Sequence, residues 1–328
     1  MNSDRYSRQM QVPSYGVAAQ RRLAQASVLV VGAGGLGSPV AATLVGAGVG
    51  SVTIMDFDTV GLSNLHRQWL YTEADVDRPK VEVLAAHLSV LNKEVDIHKV
   101  NSRLHTDNVN ALIMAADLVI DAADNFPTSF LLSDACFAAK VALSTASVNQ
   151  LYGYTGLFCA GVAPSLRAVF PKVPLQQASC DVVGVTAPAV SVVAGLQSQL
   201  VLDQLTGAKN WLGHMHYIDL RSFNLRSIDC SQSKEPRTSG IQLISAQGLT
   251  PNDWVIDVRE PQESESQAQA HRVDQYSPLS ELCLGPALSE KSRIVFCCKS
   301  GQRAMIAAQH ALNDGFDNTA VIIPSDSQ

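Results

Sequence analysis

The stretch Ser27–Ala47, SVLVVGAGGLGSPVAATLVGA, decides the fold. Its first five residues form a short apolar run that stops at Gly32, and a second apolar stretch follows Gly37 and ends among glycines. This pattern predicts a strand, a tight turn and a helix, because glycines mark both ends of the helical segment. Residues Ser51–Asp58, SVTIMDFD, are typical of a second strand. Together these segments predict a βαβ unit.

The alternation of strand and helix continues along the chain. Four further segments carry it: VEVLAAHLSVLN (81–92), VDIHKV (95–100), NVNALIMA (108–115) and DLVIDAAD (117–124). This alternation predicts an α/β fold with a doubly wound, mainly parallel sheet, a Rossmann-like domain. Beyond Lys140, short strand-like segments and a helical run over Ala189–Leu205 predict that the same domain is completed by a mixed sheet.

The rest of the chain predicts a second, smaller domain. Residues 230–240, CSQSKEPRTSG, are polar and lack periodicity, which is typical of a linker. Beyond them, VIDV and IVFCCKSGQRAMIAAQHALNDGF restart a strand, turn and helix pattern. We therefore expect an N-terminal domain over 1–229, the linker, and a small α/β domain over 241–328.

Composition excludes several classes of protein. The 328 residues are 46% hydrophobic, enough to bury a large core. The net charge of -6 offers no electrostatic reason for binding nucleic acid. Two uncharged stretches, 26–55 and 182–202, contain glycines or polar residues that argue against membrane spans. Seven cysteines, an odd number, and an N-terminus without a secretory pattern predict a reducing cytoplasm.

The turn after the first strand has the spacing of a nucleotide-binding loop. Gly32, Gly34 and Gly37 give G-x-G-x-x-G, and Asp56 ends the next strand. Glycines let the backbone approach a phosphate, the helix N-terminus attracts the anion, and the carboxylate can accept ribose hydroxyls. Taken alone, the glycines favour a nicotinamide or flavin dinucleotide.

Other motifs around this loop change that expectation. RYSRQ (5–9), DFDTVGLSNLHRQ (56–68), RPK (78–80) and DAADN (121–125) occur in this order. Over about residues 5–228 the set resembles the ThiF/MoeB/HesA family, the bacterial adenylyltransferases related to ubiquitin-activating enzymes. Its cations and carboxylate suit ATP and Mg²⁺ better than hydride transfer. The expected cofactors are therefore ATP and Mg²⁺.

The resemblance implies roles for single residues. Asp56 would bind the ribose, and Gly35 would belong to the phosphate turn. Arg8 would reach across a homodimer interface into the neighbouring site. Further contacts would come from Ser63, Asn64, Arg67, Gln68 and Lys80 on the triphosphate or ribose, and from Asp124 and Asn125 on the Mg²⁺ and the α-phosphate.

The implied reaction activates a carboxylate with ATP. A carboxylate oxygen attacks the α-phosphorus, pyrophosphate leaves, and an acyl-adenylate remains. The resemblance implies that this carboxylate is the C-terminal Gly-Gly of a small ubiquitin-like sulfur-carrier protein. Because positioning and charge neutralisation supply most of the catalysis, no dedicated base is expected.

The C-terminal part resembles the rhodanese domain. The similarity rests on WVIDVREPQE (254–263) and on the loop Cys298–Arg303, CKSGQR, after a strand-like run. Backbone N–H groups of such a loop converge on the sulfur, and its cations help to stabilise a persulfide anion. Cys298 is therefore the expected sulfur carrier, recharged by a cysteine desulfurase or thiosulfate. The other loop residues are Lys299, Ser300, Gly301, Gln302 and Arg303.

Two further features concern cysteines. Cys180 matches a cysteine that the family carries before its long helix, and in relatives this cysteine is implicated in a covalent link to the carrier. Relatives also commonly hold zinc with two C-x-x-C pairs. Here 164–168 reads PSLRA at the first place, and only Cys230 remains at the second. Since the chain contains no C-x-x-C, we expect no structural zinc.

Two other functions stay open from the sequence. One is an NAD-dependent oxidoreductase that uses the same glycines. The other is a non-catalytic relative that docks a ubiquitin-like protein, an alternative suggested by the missing zinc ligands and a shortened rhodanese-like part. Arg67, Lys80 and Asp124 favour the adenylating enzyme, and the pathway of the carrier is not indicated.

Overall fold

The computed structural model describes residues 4–173, 184–236, 240–266, 269–285 and 293–326. Within these residues the chain forms one sheet of eight strands and one of five. The larger sheet uses residues up to Asp229, and the smaller one begins at Gln242. The change of sheet falls at the predicted linker, and the division into two independent domains stays a prediction.

The larger sheet is doubly wound and mixed, which confirms the predicted fold class. Its strands are β1 (Ser27–Val31), β2 (Ser51–Met55), β3 (Asp96–Val100), β4 (Leu118–Asp121), β5 (Ala142–Asn149), β6 (Tyr152–Cys159), β7 (His214–Asp219) and β8 (Asn224–Asp229). They lie in the order β3-β2-β1-β4-β5-β6-β7-β8. The first five are parallel, and β6 to β8 are added antiparallel.

Helices cover both faces of this sheet. They are α1 (Ser7–Met10), α2 (Gly16–Gln25), α3 (Gly37–Ala47), α4 (Lys80–Leu91), α5 (Val109–Met114), α6 (Phe126–Ala139), α7 (Leu166–Val169) and α8 (Ala187–Thr206). In β1, Val28 and Val30 join the core under α3, α4 and α8. Leu29 and Val31 join the core under α5 and α6. Because alternate side chains of a strand point to opposite faces, an all-apolar strand is buried on both sides.

Local sequence explains the C-terminal end of helix α3 and the N-terminal end of helix α6. Helix α3 ends at Gly48, which has a left-handed backbone and donates its N–H to the Leu44 and Val45 carbonyls. Helix α6 begins after Asn125, whose side-chain oxygen accepts the Thr128 N–H at 3.0 Å. Both ends follow from residues that the sequence displays directly.

The smaller sheet is parallel throughout. Its strands are β9 (Gln242–Ile244), β10 (Asp253–Asp257), β11 (Gln275–Tyr276), β12 (Arg293–Cys297) and β13 (Thr319–Ile322), with helices α9 (Pro261–Ser266) and α10 (Gln302–Asn313). They lie in the order β11-β10-β12-β13-β9. Helix α10 follows β12 after a short loop, as the strand, turn and helix pattern predicts.

One hydrophobic core contains residues from both the larger and the smaller sheet and their helices. Phe126 and Phe130 of α6 belong to the same buried cluster as Met305 and Ala308 of α10. Between the two parts, the Gln309 side-chain oxygen also accepts the Val173 N–H at 3.0 Å. The C-terminal part therefore packs on the side of the larger sheet that α5 and α6 cover.

In the parts of the chain that the structure describes, no helix is both long and apolar enough to cross a bilayer. The 20-residue helix α8 buries Gln197 and Ser198 within the protein. The Gln197 amide donates to the Asp121 carbonyl at 3.1 Å, which ties this helix to β4.

A hydrogen-bonded pair joins the two segments where relatives would place zinc ligands. The Glu235 carboxylate accepts the Ser165 N–H at 2.7 Å and the Ser165 hydroxyl at 2.6 Å. Among the described residues, no group of three or more His, Cys, Asp or Glu side chains could hold a metal ion. The absence of structural zinc stays a prediction.

We expect Glu235→Ala to lower the free energy of unfolding by about 1–3 kcal/mol, because Ser165 is buried and its N–H would lose its acceptor. Urea unfolding measures the change. Glu235→Gln keeps one acceptor oxygen, so its loss should be smaller. The matched control is Glu281→Ala at an exposed glutamate, and an equal loss in that variant would contradict the assignment.

Candidate active site

A cavity of about 600 Å³ opens at the carboxyl ends of β1, β2, β4 and β5. The connections from β1 and β4 leave in opposite directions, since β2 lies on one side of this pair and β5 on the other. In doubly wound sheets, ligands bind in the crevice formed at this switch point. The cavity therefore lies where the strand order predicts a ligand.

The glycine loop forms the floor of this cavity. Gly32 has φ +98°, and a Cβ there would lie 2.6 Å from the Ala122 carbonyl oxygen. A Cβ on Gly37 would lie 1.7 Å from the Gly32 oxygen. Only glycine fits at both positions, so α3 can start directly against the end of β1. Gly32, Gly34 and Gly35 line the cavity.

Asp56 is held at the end of β2 by backbone donors. Its carboxylate accepts the Ala33 N–H at 2.6 Å and the Asp58 N–H at 2.8 Å. Burial raises the pKa of Asp56, while the charge of Lys80 and the two hydrogen bonds oppose that rise. The carboxylate is thus oriented in the cavity wall before any ligand arrives.

Three cations line the cavity beside Asp56. The Lys80 ammonium, on a residue only 5% exposed, lies 3.2 Å from an Asp58 oxygen. Arg67 donates to the Ser63 carbonyl at 3.1 Å. The Arg103 guanidinium carbon lies 3.5 Å from the centre of the Phe57 ring. These contacts orient positive charge toward one space, where it favours an anionic ligand.

Gln68 provides a direct test of whether the site fits a polar ligand. The residue is 5% exposed and lines the cavity. Its side-chain oxygen is buried without a hydrogen-bond partner among the described residues. Buried polar atoms are nearly always paired, so this acceptor fits a donor on a ligand such as a ribose hydroxyl.

The turn between β4 and α6 brings Asp124 and Asn125 into the same cavity. Asn125 caps α6 with its oxygen and donates its amide N–H to Asp124 at 3.3 Å. Mg²⁺ is usually bound by one or two carboxylates together with substrate phosphates. One exposed carboxylate therefore fits a Mg²⁺ ion that arrives on a polyphosphate.

Asp121 begins the DAADN motif, and the resemblance implies no role for it. Its side chain is fully buried and accepts the Thr145 hydroxyl at 2.8 Å and the Ala123 N–H at 3.2 Å. Burial raises its pKa to about 6. A carboxylate that ends an otherwise apolar strand was the signal available in the sequence.

Six of the predicted site residues that the structure describes do not line this cavity: Arg8, Gly37, Ser63, Asn64, Cys298 and Gly301. Gly37 lies behind the loop, and Ser63 and Asn64 form a 3-10 turn whose carbonyls accept hydrogen bonds from Arg67. Arg8 is exposed on α1, with Gln11 as a hydrogen-bond partner at 3.4 Å, so its role across a dimer interface stays a prediction. Cys180 lies outside the described residues.

The predicted sulfur loop contributes to the same cavity. Lys299, Ser300, Gln302 and Arg303 line it together with the glycine loop. Cys298, which follows β12 directly, is 5% exposed. The glycine loop and the sulfur loop are more than 200 residues apart in the sequence, and the structure brings them to one cavity.

Contacts on both sides of the sulfur loop hold its shape. Gly301 lies against Pro127 of α6, where an added Cβ would be 3.4 Å from the proline Cβ. Arg303 pairs with Glu263 at 2.9 Å, and this hydrogen bond lowers the pKa of Glu263 to about 2. Cys297, the last residue of β12, is 1% exposed and packs in a small hydrophobic cluster with Val255 and Val295.

Four features define a nucleotide-binding α/β protein: the sheet order, the glycine loop, the oriented carboxylate of Asp56 and the cations. The ThiF family model matches residues 6–239, and the chain belongs to the ThiF family.

Relatives of known name agree with this membership. The chain is 40% identical over 233 residues to the "Sulfur carrier protein adenylyltransferase" of Thermus thermophilus, a match that covers 69% of this chain and 86% of that protein. It is 30% identical to the "Adenylyltransferase and sulfurtransferase MOCS3" of Drosophila yakuba, over 94% of this chain and 78% of that protein. The match to MOCS3 of Anopheles gambiae is 40% identical and spans 46% of that protein, about half its length.

Solved structures show the same fold. Escherichia coli MccB with MccA-N7isoASN superposes with a TM-score of 0.63 at 24% identity, over 73% of this chain and 75% of that one. PaaA superposes with a TM-score of 0.59 at 22% identity, over 70% and 73% of the two chains.

We expect Asp121 to make stability depend on pH. Its pKa is raised from 3.8 to about 6, so its contribution to folding is complete below about pH 4 and is lost as the pH rises through about 6. Asp121→Asn does not titrate and should gain in urea midpoint relative to the parent chain between about pH 4 and pH 7. A difference between the two urea midpoints that stays constant over this pH range would contradict the assignment.

Proposed function

We propose that this protein uses ATP to adenylate the C-terminal Gly-Gly carboxylate of a ubiquitin-like sulfur-carrier protein, and then passes sulfur to that carboxylate. The observation that carries the proposal is the shared cavity, which the glycine loop, Asp56 and Lys80 line together with the loop next to Cys298. Relatives named adenylyltransferase and sulfurtransferase support both halves of the reaction.

ATP would bind with its ribose on Asp56 and Gln68. The Asp56 carboxylate is already oriented, and the Gln68 side chain lines the same cavity, so both are placed to bind ribose hydroxyls. The polyphosphate would lie between the N-terminus of α3 and the cations Arg67 and Lys80. Asp124 would hold a Mg²⁺ ion together with the phosphates, and Asn125 would fix the Asp124 side chain.

In the first step, an oxygen of the carrier carboxylate attacks the α-phosphorus. The bond from the α-phosphorus to the bridging oxygen breaks, pyrophosphate leaves, and the carrier ends in an acyl-adenylate. The cations neutralise the charge that collects on the phosphate oxygens, which is the usual source of catalysis in such transfers. Arg8 of a second copy would add one more cation if the protein forms the proposed homodimer.

In the second step, a persulfide on Cys298 attacks the acyl carbon and AMP leaves, so an acyl disulfide joins the carrier to Cys298. A second thiol, for which Cys180 is the candidate, attacks the Cys298 sulfur and releases the carrier as a thiocarboxylate. The resulting protein disulfide is reopened by a cellular thiol. A cysteine desulfurase or thiosulfate then restores the persulfide.

We expect ATP–pyrophosphate isotope exchange that depends on a Gly-Gly-ended carrier from the same organism. Lys80→Met should reduce the exchange rate about 100-fold or more, since it removes a buried cation from the phosphate site. Lys93→Met, at an exposed lysine outside the cavity, is the matched control and should retain the parent rate. Tight binding of NADH together with no exchange would favour the oxidoreductase alternative.

Cys298→Ser should separate the two halves of the reaction. We expect carrier-dependent exchange at the parent rate, because Cys298 does not line the nucleotide cavity, and no thiocarboxylate on the carrier by mass spectrometry. Cys283→Ser, at an exposed cysteine, should keep both activities. Thiocarboxylate formation by Cys298→Ser would show that another thiol carries the sulfur.

A further inference from the structure

The sulfur loop is part of the wall of the nucleotide cavity. All residues of Lys299–Arg303 except Gly301 line it. Ile323 and Pro324, which follow β13, line it as well. A nucleotide in this cavity would therefore have the N-terminal sheet on one side and the C-terminal part of the chain on the other.

Contacts next to the cavity hold the C-terminal part in this position. The Asp326 carboxylate accepts hydrogen bonds from the Ser102 hydroxyl and, at 2.9 Å, from the Arg103 N–H. On the other side, Gly301 lies close to Pro127, since a Cβ added to Gly301 would be 3.4 Å from the proline Cβ. Ser102, Arg103 and Pro127 all line the cavity. These contacts hold the C-terminal part of the chain in place on both sides of the cavity.

The cations around the cavity differ in whether they already have a partner. Lys80 and Arg303 form ion pairs, Arg67 donates to a carbonyl, and Arg103 packs over an aromatic ring. Lys299 is exposed, and in the described part of the chain it makes no hydrogen bond or ion pair. Among the cations that line the cavity, it is therefore the one without a hydrogen bond, ion pair or ring contact to the described residues.

The position of Lys299 also points to a particular group of the ligand. Pro127, which lies close to Gly301 in the same loop as Lys299, is two residues beyond Asn125 in the first turn of α6. Lys299 therefore lines the same cavity as the turn that carries Asp124 and Asn125, in a loop that approaches the first turn of α6. A lysine ammonium is a compact point charge that binds phosphate oxygens.

We propose that Lys299 binds a phosphate group of the nucleotide, so that the C-terminal part of the chain takes part in ATP binding as well as in sulfur transfer. The inference rests on the proposed adenylation, and it adds a cation from outside residues 6–239, the segment that the ThiF family model matches. Lys299 acts as a binding residue: it holds the polyphosphate and takes no part in bond exchange.

The test is Lys299→Ala in the full chain, with ATP and adenosine as ligands. We expect the KM for ATP in carrier-dependent exchange to rise about tenfold, and the calorimetric Kd for ATP to rise by the same factor. The kcat at saturating ATP should stay within about twofold. The Kd for adenosine should not change, since adenosine has no phosphate. Lys299→Arg should recover most of the ATP affinity.

Lys93→Ala is the matched control, an exposed lysine outside the cavity, and should leave both constants at their parent values. An unchanged Kd for ATP in Lys299→Ala would overturn the inference. So would an equal loss of adenosine affinity, which would indicate that the loop had shifted. If the parent chain binds ATP but shows no exchange, the proposed function fails while the calorimetric comparison still tests Lys299.

Discussion

The close approach between the glycine loop and the turn after β4 is the constraint on which the rest of the structure depends. Gly32 lies so near the Ala122 carbonyl that a Cβ would meet its oxygen at 2.6 Å, and Gly37 lies directly against Gly32. This contact sets β1 beside β4 in parallel register and lets α3 start at the strand end. The connections that follow β1 and β4 diverge from this contact. The crevice between them is the candidate site.

Polar groups are concentrated at the edge of the sheet where this crevice opens. Asp56 and Asp121 lose solvation there, and each is compensated by hydrogen bonds from specific backbone or hydroxyl donors. Lys80 is compensated by Asp58. Burying charged groups in an apolar core is energetically unfavourable. Their concentration at this edge of the sheet is therefore typical of a binding site.

The shared core between α6 and α10 has a consequence for the proposed chemistry. It brings the loop after β12 to the nucleotide cavity, with Cys298 only 5% exposed. An acyl-adenylate is susceptible to water, and a wall formed by a second part of the chain limits the access of water to such an intermediate. In the proposed reaction, adenylation would therefore take place beside the loop that follows Cys298.

The amino-acid sequence by itself determined the fold class and the glycine loop, because strand and helix periodicity and motif spacing are local properties of the chain. The grouping of Asp56, Arg67, Lys80 and Asp124 was implied by the resemblance to the ThiF/MoeB/HesA family, and the structure places the four residues in one cavity. Tertiary structure alone decided three other features: the burial of Asp121, the Ser165–Glu235 pair, and the place of Lys299 in the nucleotide cavity. The physical reason is that these depend on contacts between segments far apart in sequence. Shape complementarity between two packed surfaces leaves no periodic pattern in either segment, so only the folded chain reveals which side chains it brings together.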